Sequence, residues 1–325
     1  MQGSVAARPA PGAGGAGRWW SALGPTGGAV VALVVLVAVN SFFTPNFATA
    51  GNFWNVLFQL SVTLLVAVGM TLVISTGGID LSVGSVMAVS AAVAAVTLDR
   101  GLLVAVPLAI ASAMAVGVLN GAFVSYFKVQ AIVVTLATLL AGRGLAQVIN
   151  RGGALITIDD PGFLVLGRGH LGPVPVQVLV AAVVVALAVF LLRSTPFGRY
   201  VLAAGGNPAA ARLAGVPVDR TVVTVYVLSA ALAGVAGLVE ASRLGASAAA
   251  RIGQNVELDA IAAVVVGGTL LSGGRATILG TVVGALIMQV IATSFNMLLV
   301  PYAWSLAFKA FIILFAVYLQ RPRRV

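Results

Sequence analysis

Ten apolar stretches, nearly free of charge, follow one another along the chain at roughly 27–43, 53–75, 82–98, 103–124, 131–150, 174–192, 221–240, 257–271, 277–297 and 303–320. A helix needs about 20 apolar residues to cross the hydrocarbon of a bilayer, and a barrel strand about 10. The stretches are too long and too continuous for barrel strands. The expected fold is therefore an all-α polytopic membrane protein of about ten transmembrane helices. The eighth stretch is short enough to be a half-helix or a re-entrant segment. Composition agrees, with 60% hydrophobic and only 8% charged residues. A soluble domain carries roughly a quarter of its residues charged.

The net charge of +10 would suggest nucleic acid in a soluble protein. Here the arginines sit in short loops between spans, so they read as orientation signals, with the lipid bilayer and no nucleic acid as partner. With the N-terminus inside, ten spans return the C-terminus inside. The inner segments then hold Arg8, Arg18, Lys128, Arg193, Arg199, Arg212, Arg220, Arg275, Arg321, Arg323 and Arg324. The outer ones hold Arg100, Arg151, Arg168, Arg243 and Arg251, with Arg143 and Lys309 left within spans. Most acids fall outside: Asp99, Asp159, Asp160, Glu240, Glu257 and Asp259. This bias favours both termini in the cytoplasm. Residues 1–26 read as a disordered basic tail ending in the interfacial pair Trp19-Trp20. The transmembrane domain is expected at 27–320, with a cytoplasmic loop at 193–220, followed by a basic tail at 321–325. The GAGGAG run at 12–17 matches a dinucleotide fingerprint, but no strand precedes it, and it reads as low complexity.

The loop at 193–220 then faces the cytoplasm. It carries four arginines against one acid, Asp219. A short helix inside it is marked at both ends: Asn207 suits an N-cap and Pro208 the first helical position. Ala209, Ala210, Ala211, Arg212, Leu213 and Ala214 supply propensity, and Gly215 stops the helix before Pro217. Such a helix suits docking on a cytoplasmic partner; the plainer reading is a surface link between two spans.

The turn TGGIDLSVG at 76–84 puts Asp80 among glycines and serines. Asp80 or Ser82 would cap the third helix, or Asp80 would serve a gate or pathway, because membrane-buried acids are costly. A similar turn, LSGGRATILG, recurs at 271–280 with Arg275 in the corresponding place, which hints at an internal duplication. Gly117/Gly121 and Gly280/Gly284 are spaced for close helix packing. Polar groups inside spans include Asn55, Gln59, Thr63, Asn120, Thr135, Thr138, Gln289 and Asn296. Interhelical hydrogen bonds are their commonest use. Several turned inward would line a path for a polar, uncharged solute, with Asp80, Ser82, Gln59, Asn120, Gln289 and Asn296 as the pathway or gate candidates. No glycine-rich phosphate loop precedes either lysine, there is no cysteine, and His170 is the sole histidine. The expectation is no catalytic residue and no metal site. Any energy source must lie on another polypeptide.

Four ordered motifs carry a resemblance. They are STGGIDLSVGSVMA from Ser75, LNGAFVSYFKVQAIVVTLAT from Leu119, TPFGRYVLAAGGNPAAARLAGVPV from Thr195 and GGTLLSGGRATILGTVVGALIM from Gly267. Together they resemble bacterial ABC-importer permeases of the ribose/xylose/galactoside branch, over nearly everything after the N-terminal tail. The resemblance implies a multi-pass protein of the bacterial plasma membrane that works by alternating access. It makes the segment Asn207–Gly215 the coupling region for cytoplasmic ABC ATPase subunits. It further implies a second permease copy and an extracytoplasmic sugar-binding protein that docks on outer loops, including 151–174 and 241–256. ATP and Mg belong to the ATPase, and no cofactor to this chain. Substrate choice in that family resides mainly in the binding protein. The same machine for branched-chain amino acids, nucleosides or another small polar solute stays open. A self-sufficient carrier or channel also stays open, although the scarcity of membrane carboxylates opposes it.

Overall fold

The computed structural model describes residues 26–319. The tails expected at 1–26 and 321–325, with Trp19-Trp20, lie outside the described residues except for Thr26. Each apolar stretch contains a helix. In chain order they are α1 (Gly27–Phe43), α2 (Ala50–Ser75), α3 (Val83–Thr97), α4 (Leu102–Ser125) and α5 (Ala131–Ile149), then α7 (Val176–Ser194), α10 (Val218–Leu244), α11 (Val256–Val266), α12 (Ile278–Met297) and α13 (Tyr302–Leu319). Between them lie the short α6 (Pro161–Arg168), α8 (Pro196–Gly206) and α9 (Pro208–Leu213).

Among the described residues, seven helices are long and apolar enough to cross a membrane: α2, α3 with the turn that follows it, α4, α5, α7, α10 and α12. At 1.5 Å per residue the 11-residue α11 is only about 16 Å long, half of the hydrocarbon thickness. The chain runs on from it through a non-helical glycine-rich stretch to α12. This is the short eighth segment of the sequence.

α10 forms the spine and packs against α4, α2 and α3. Small residues let the backbones meet. A Cβ at Gly117 or Gly121 of α4 would strike the α10 backbone at Tyr226–Val227 or at Val223, and one at Gly234 would strike Ala113. Gly280 and Gly284 of α12 do the same against Gly267 and Ala263. Lipid tails are as apolar as leucine, so close van der Waals packing of this kind is what holds spans together. The buried core, with Leu65, Met70, Met87 and Leu238, surrounds α2, α3 and α10.

The segment before α6 and the segment after α10 pair as a short antiparallel ladder, β1 (Ile156–Thr157) with β4 (Ala246–Ser247). β2 (His170–Leu171) and β3 (Val174–Pro175) form a hairpin. The expected docking loop 241–256 is thus mostly packed inward. Ser247, Ala249, Ile252 and Gly253 are buried, while Ala250, Arg251, Gln254 and Asn255 remain exposed.

Candidate coupling and transport site

α9 forms where the residues of 207–215 direct it. The Asn207 side chain accepts from the Ala210 amide at 3.0 Å, and Pro208 occupies the first turn, where its missing N–H costs nothing. Ala214 is the C-cap, and Gly215 follows at φ +81°, a conformation costly for any residue with a Cβ. Ala211 turns inward onto Ala204 and Val218. Asn207, Pro208, Ala209, Ala210, Arg212, Leu213, Ala214 and Gly215 are exposed, and Leu213 is 92% exposed. α9 thus presents its exposed side, with Leu213 and Arg212, away from the bundle.

Asp219 fixes that helix to the bundle. Its Oδ1 receives the Arg212 guanidinium at 2.9 Å and the Lys128 ammonium at 2.7 Å, and Ser125 donates to the same oxygen at 3.1 Å. Lys128 also donates to the Ser125 carbonyl. The acid therefore clamps α9 to the α4–α5 turn and to the base of α10. The partners are 34–59% exposed, so each pair is worth at most about 1 kcal/mol, and the clamp sets geometry more than stability. From sequence these were one acid and several orientation charges; only folding brings Lys128 to Asp219.

α8 leads from α7 to α9, and its end meets both flagged turns. A Cβ at Gly205 would overlap the Ser75 carbonyl and the Gly274 amide. Gly274 N donates to Ser75 O at 3.0 Å, and Ser75 Oγ to Arg275 O at 3.3 Å. Thr71 and Thr281 hydroxyls bond at 2.7 Å just behind. The two turns that look alike in the sequence thus pack against each other, directly beside the end of α8. Arg275 itself is half-buried, and its Nη2 has no partner among the described residues.

Asp80 lies in the non-helical link between α2 and α3 and is 1% exposed. Its Oδ1 accepts from the Ser82 amide at 3.0 Å and the Ser82 hydroxyl at 2.6 Å, and Oδ2 from Ser229 Oγ at 3.4 Å. Ser229 is eleven residues along α10, roughly 16 Å from its start, so α3 begins deep in the bundle. Asn120 donates to Ser82 Oγ at 2.8 Å and accepts from Thr138 Oγ1 at 2.7 Å. Asp80, Ser82, Asn120, Thr138 and Ser229 therefore form one chain of hydrogen bonds across α3, α4, α5 and α10. The Tyr226 hydroxyl is buried nearby, with no hydrogen-bond partner among the described residues.

Gln59 and Gln289 come together elsewhere. Gln289 donates to Gln59 Oε1 and to Thr293 Oγ1, both at 3.2 Å, and Gln59 donates to Asn55 at 3.0 Å. This strip links α2 to α12. Asn296 does not join it; it is exposed near the end of α12.

A third cluster escaped sequence reading. Arg143 of α5 donates to the carbonyls of Ala249, Ile252 and Gly253, and Glu240 accepts from the Gly253 amide. Glu257 Oε2 is buried beside Gly84. Glu240 and Glu257, assigned above to outer loops, lie instead in α10 and α11 and are half-buried, because the chain between these helices folds back inward. Lys309 within α13 is likewise accounted for by Asp259 of α11, at 2.8 Å. Among the described residues no cluster of three or more metal-ligating side chains occurs.

A bundle of apolar helices with buried hydrogen-bonded breaks and short capped helices at its ends is the build of an integral membrane permease. The chain belongs to the family described as "Branched-chain amino acid transport system / permease component", whose pattern matches residues 52–317. It is 43% identical over 302 residues to the "Ribose import permease protein RbsC" of Escherichia coli (strain K12), covering 91% of this chain and 93% of that one. It is 38% identical over 319 residues to the "Galactofuranose transporter permease protein YtfT" of the same strain, covering 94% and 91%. To the "L-arabinose ABC transporter permease protein AraH" of Azospirillum brasilense it is 37% identical over 301 residues, covering 91% and 88%. No solved structure matches the chain.

Proposed function

We propose that this chain is the membrane-spanning subunit of an ATP-driven ABC importer that moves a monosaccharide inward by alternating access. The observation that carries the reading is full-length similarity at 37–43% identity to permeases named for ribose, galactofuranose and arabinose. The family description names branched-chain amino acids. We weigh the individual relatives above it, because they align over nearly the whole chain and a family title spans many substrates. The pathway strips contain amides, hydroxyls and one carboxylate, donors and acceptors suited to a polar uncharged solute.

In this reading α1, α11 and α13 join the seven longer helices to make ten spans, with both termini cytoplasmic. The exposed face of α9, around Leu213 and Arg212, docks on an ATPase subunit that holds ATP and Mg. A loaded extracytoplasmic binding protein meets the opposite end, at 151–174 and the exposed tip around Arg251. A second permease copy completes the path. Closure of the ATPase dimer pushes α9. The push passes through α8 and Gly205 to the paired turns, which move α2 with α3 and α11 with α12.

Uptake of labelled pentoses, hexoses, branched-chain amino acids and nucleosides by a deletion strain, with and without the restored gene, tests this. Loss of one sugar, rescued by wild type but not by a chain in which Pro208–Ala214 is a flexible linker, is the expected result. The linker variant should still insert in the membrane. Loss of an amino acid or a nucleoside would discard the sugar. Transport by the purified chain alone under an ion gradient would replace the importer with a self-sufficient carrier.

A further inference from the structure

α2, α7 and α12 leave a groove between them with a volume of about 630 Å³. Its walls are apolar, with Leu60, Leu64, Ala182, Ala186, Phe190 and Leu286 among them. At the end nearest α9 it shares Val189 and Leu279 with a smaller cavity of about 130 Å³. There the lining changes to Thr26, Thr277, the first turn of α12 and Arg193. Arg193 is exposed, and no carboxylate pairs with it among the described residues. α12 begins without a side-chain cap, so its first amides add partial positive charge beside the guanidinium.

We infer that the joined groove and cavity hold one anionic phospholipid, with an acyl chain along α7 and its phosphate on Arg193. This rests on the reading of the chain as a permease only in requiring a bilayer around it. Val178 and Arg193 are fifteen residues apart on α7, about 22 Å along the axis, whereas one leaflet of hydrocarbon is about 15 Å deep. A whole acyl chain fits in that length. A free phosphate ion would use the small cavity and leave the apolar groove bare. A second copy of this chain would have to answer Arg193 with an acid from the same end of the bundle. Asp219, the acid at that end, is already engaged with Lys128 and Arg212, and Asp80 lies buried deeper in the bundle. A lipid so placed bridges α7, which leads into α8 and α9, to α12, which follows the Gly273–Gly274 turn.

The test is native mass spectrometry of the full chain released from nanodiscs of equimolar phosphatidylglycerol and phosphatidylcholine. Wild type should retain one phosphatidylglycerol with about fivefold preference, the effect of one basic residue near an anionic surface. Arg193→Gln should retain both lipids alike, and Ala186→Trp, which fills the groove, should lose both. Elution volume and melting temperature report whether the variants fold. If Arg193→Gln does not, the wild-type preference should still shrink as salt is raised. Equal retention by wild type, or a preference indifferent to salt and to Arg193→Gln, overturns the site. Efficient cross-linking between copies through Ala186→Cys also overturns it, giving the groove to a second copy. Sugar uptake enters none of these readouts, so the lipid site and the transport reading fail separately.

Discussion

At the scale of single residues, Asp80 and Leu213 mark opposite uses of a side chain. Asp80 is buried where a carboxylate is expensive, and the two bonds from Ser82 offset that cost. Asp80→Ala should leave the Ser82 amide and hydroxyl without their acceptor, costing about 1–3 kcal/mol. The expected result is a lower melting temperature in detergent together with reduced uptake; a fall in yield with normal uptake per molecule would leave Asp80 with only a structural role in the turn. Leu213 contributes nothing to the folded core. Leu213→Asp should insert and melt as wild type does while uptake is lost. Uptake that survives the change would remove Leu213 from the docking face. The motif around Asp80 was visible in the sequence as an acid among glycines. Its partners Asn120 and Ser229 were not linked to it there, since they lie 40 and 149 positions away.

At the scale of elements, the proposed coupling through α9 depends on what α8 touches. Adding a methyl group at Gly205 forces α8 away from Ser75 and Gly274, a backbone overlap that no rotamer relieves. Gly205→Ala should therefore cost about 1–3 kcal/mol and weaken uptake more than Gly206→Ala, whose Cβ has room. Sugar-dependent ATPase activity of the reconstituted importer checks this, and equal activity in the two variants would place the relay elsewhere. α9 itself was legible residue by residue, because caps and stops act within a turn. The junction at Gly205 was not, because a glycine kept for close approach looks like one kept for flexibility until the neighbouring backbone is known.

At the scale of the whole molecule, the two basic groups inside spans are both held, Arg143 against backbone carbonyls and Lys309 by an acid, as a low dielectric demands. Lys309, with 12% of its side chain exposed, meets Asp259 across α13 and α11. Asp259 is one-third exposed, so Lys309→Met alone should destabilise by only about 1–3 kcal/mol, and the double change with Asp259→Leu should recover most of that loss. Thermal unfolding of the two variants in one detergent measures it. Additive losses would mean that the pair is not coupled.

The sequence by itself determined the solvent, the helical class, a helix within each of the ten apolar stretches and the capped helix that faces outward, but not α6 or α8. These depend on hydrophobic length, capping and turn chemistry, which act over a few residues and are written locally. Tertiary structure alone decided that α3 starts deep within the bundle, that the two glycine turns meet, that Arg143 holds the returning chain before α11, and that Asp219 clamps α9. Those outcomes depend on which helices lie side by side. In a bilayer almost every face of every span is apolar, so hydrophobic pattern does not choose neighbours; small residues and buried hydrogen bonds do, through contacts between positions far apart in the chain.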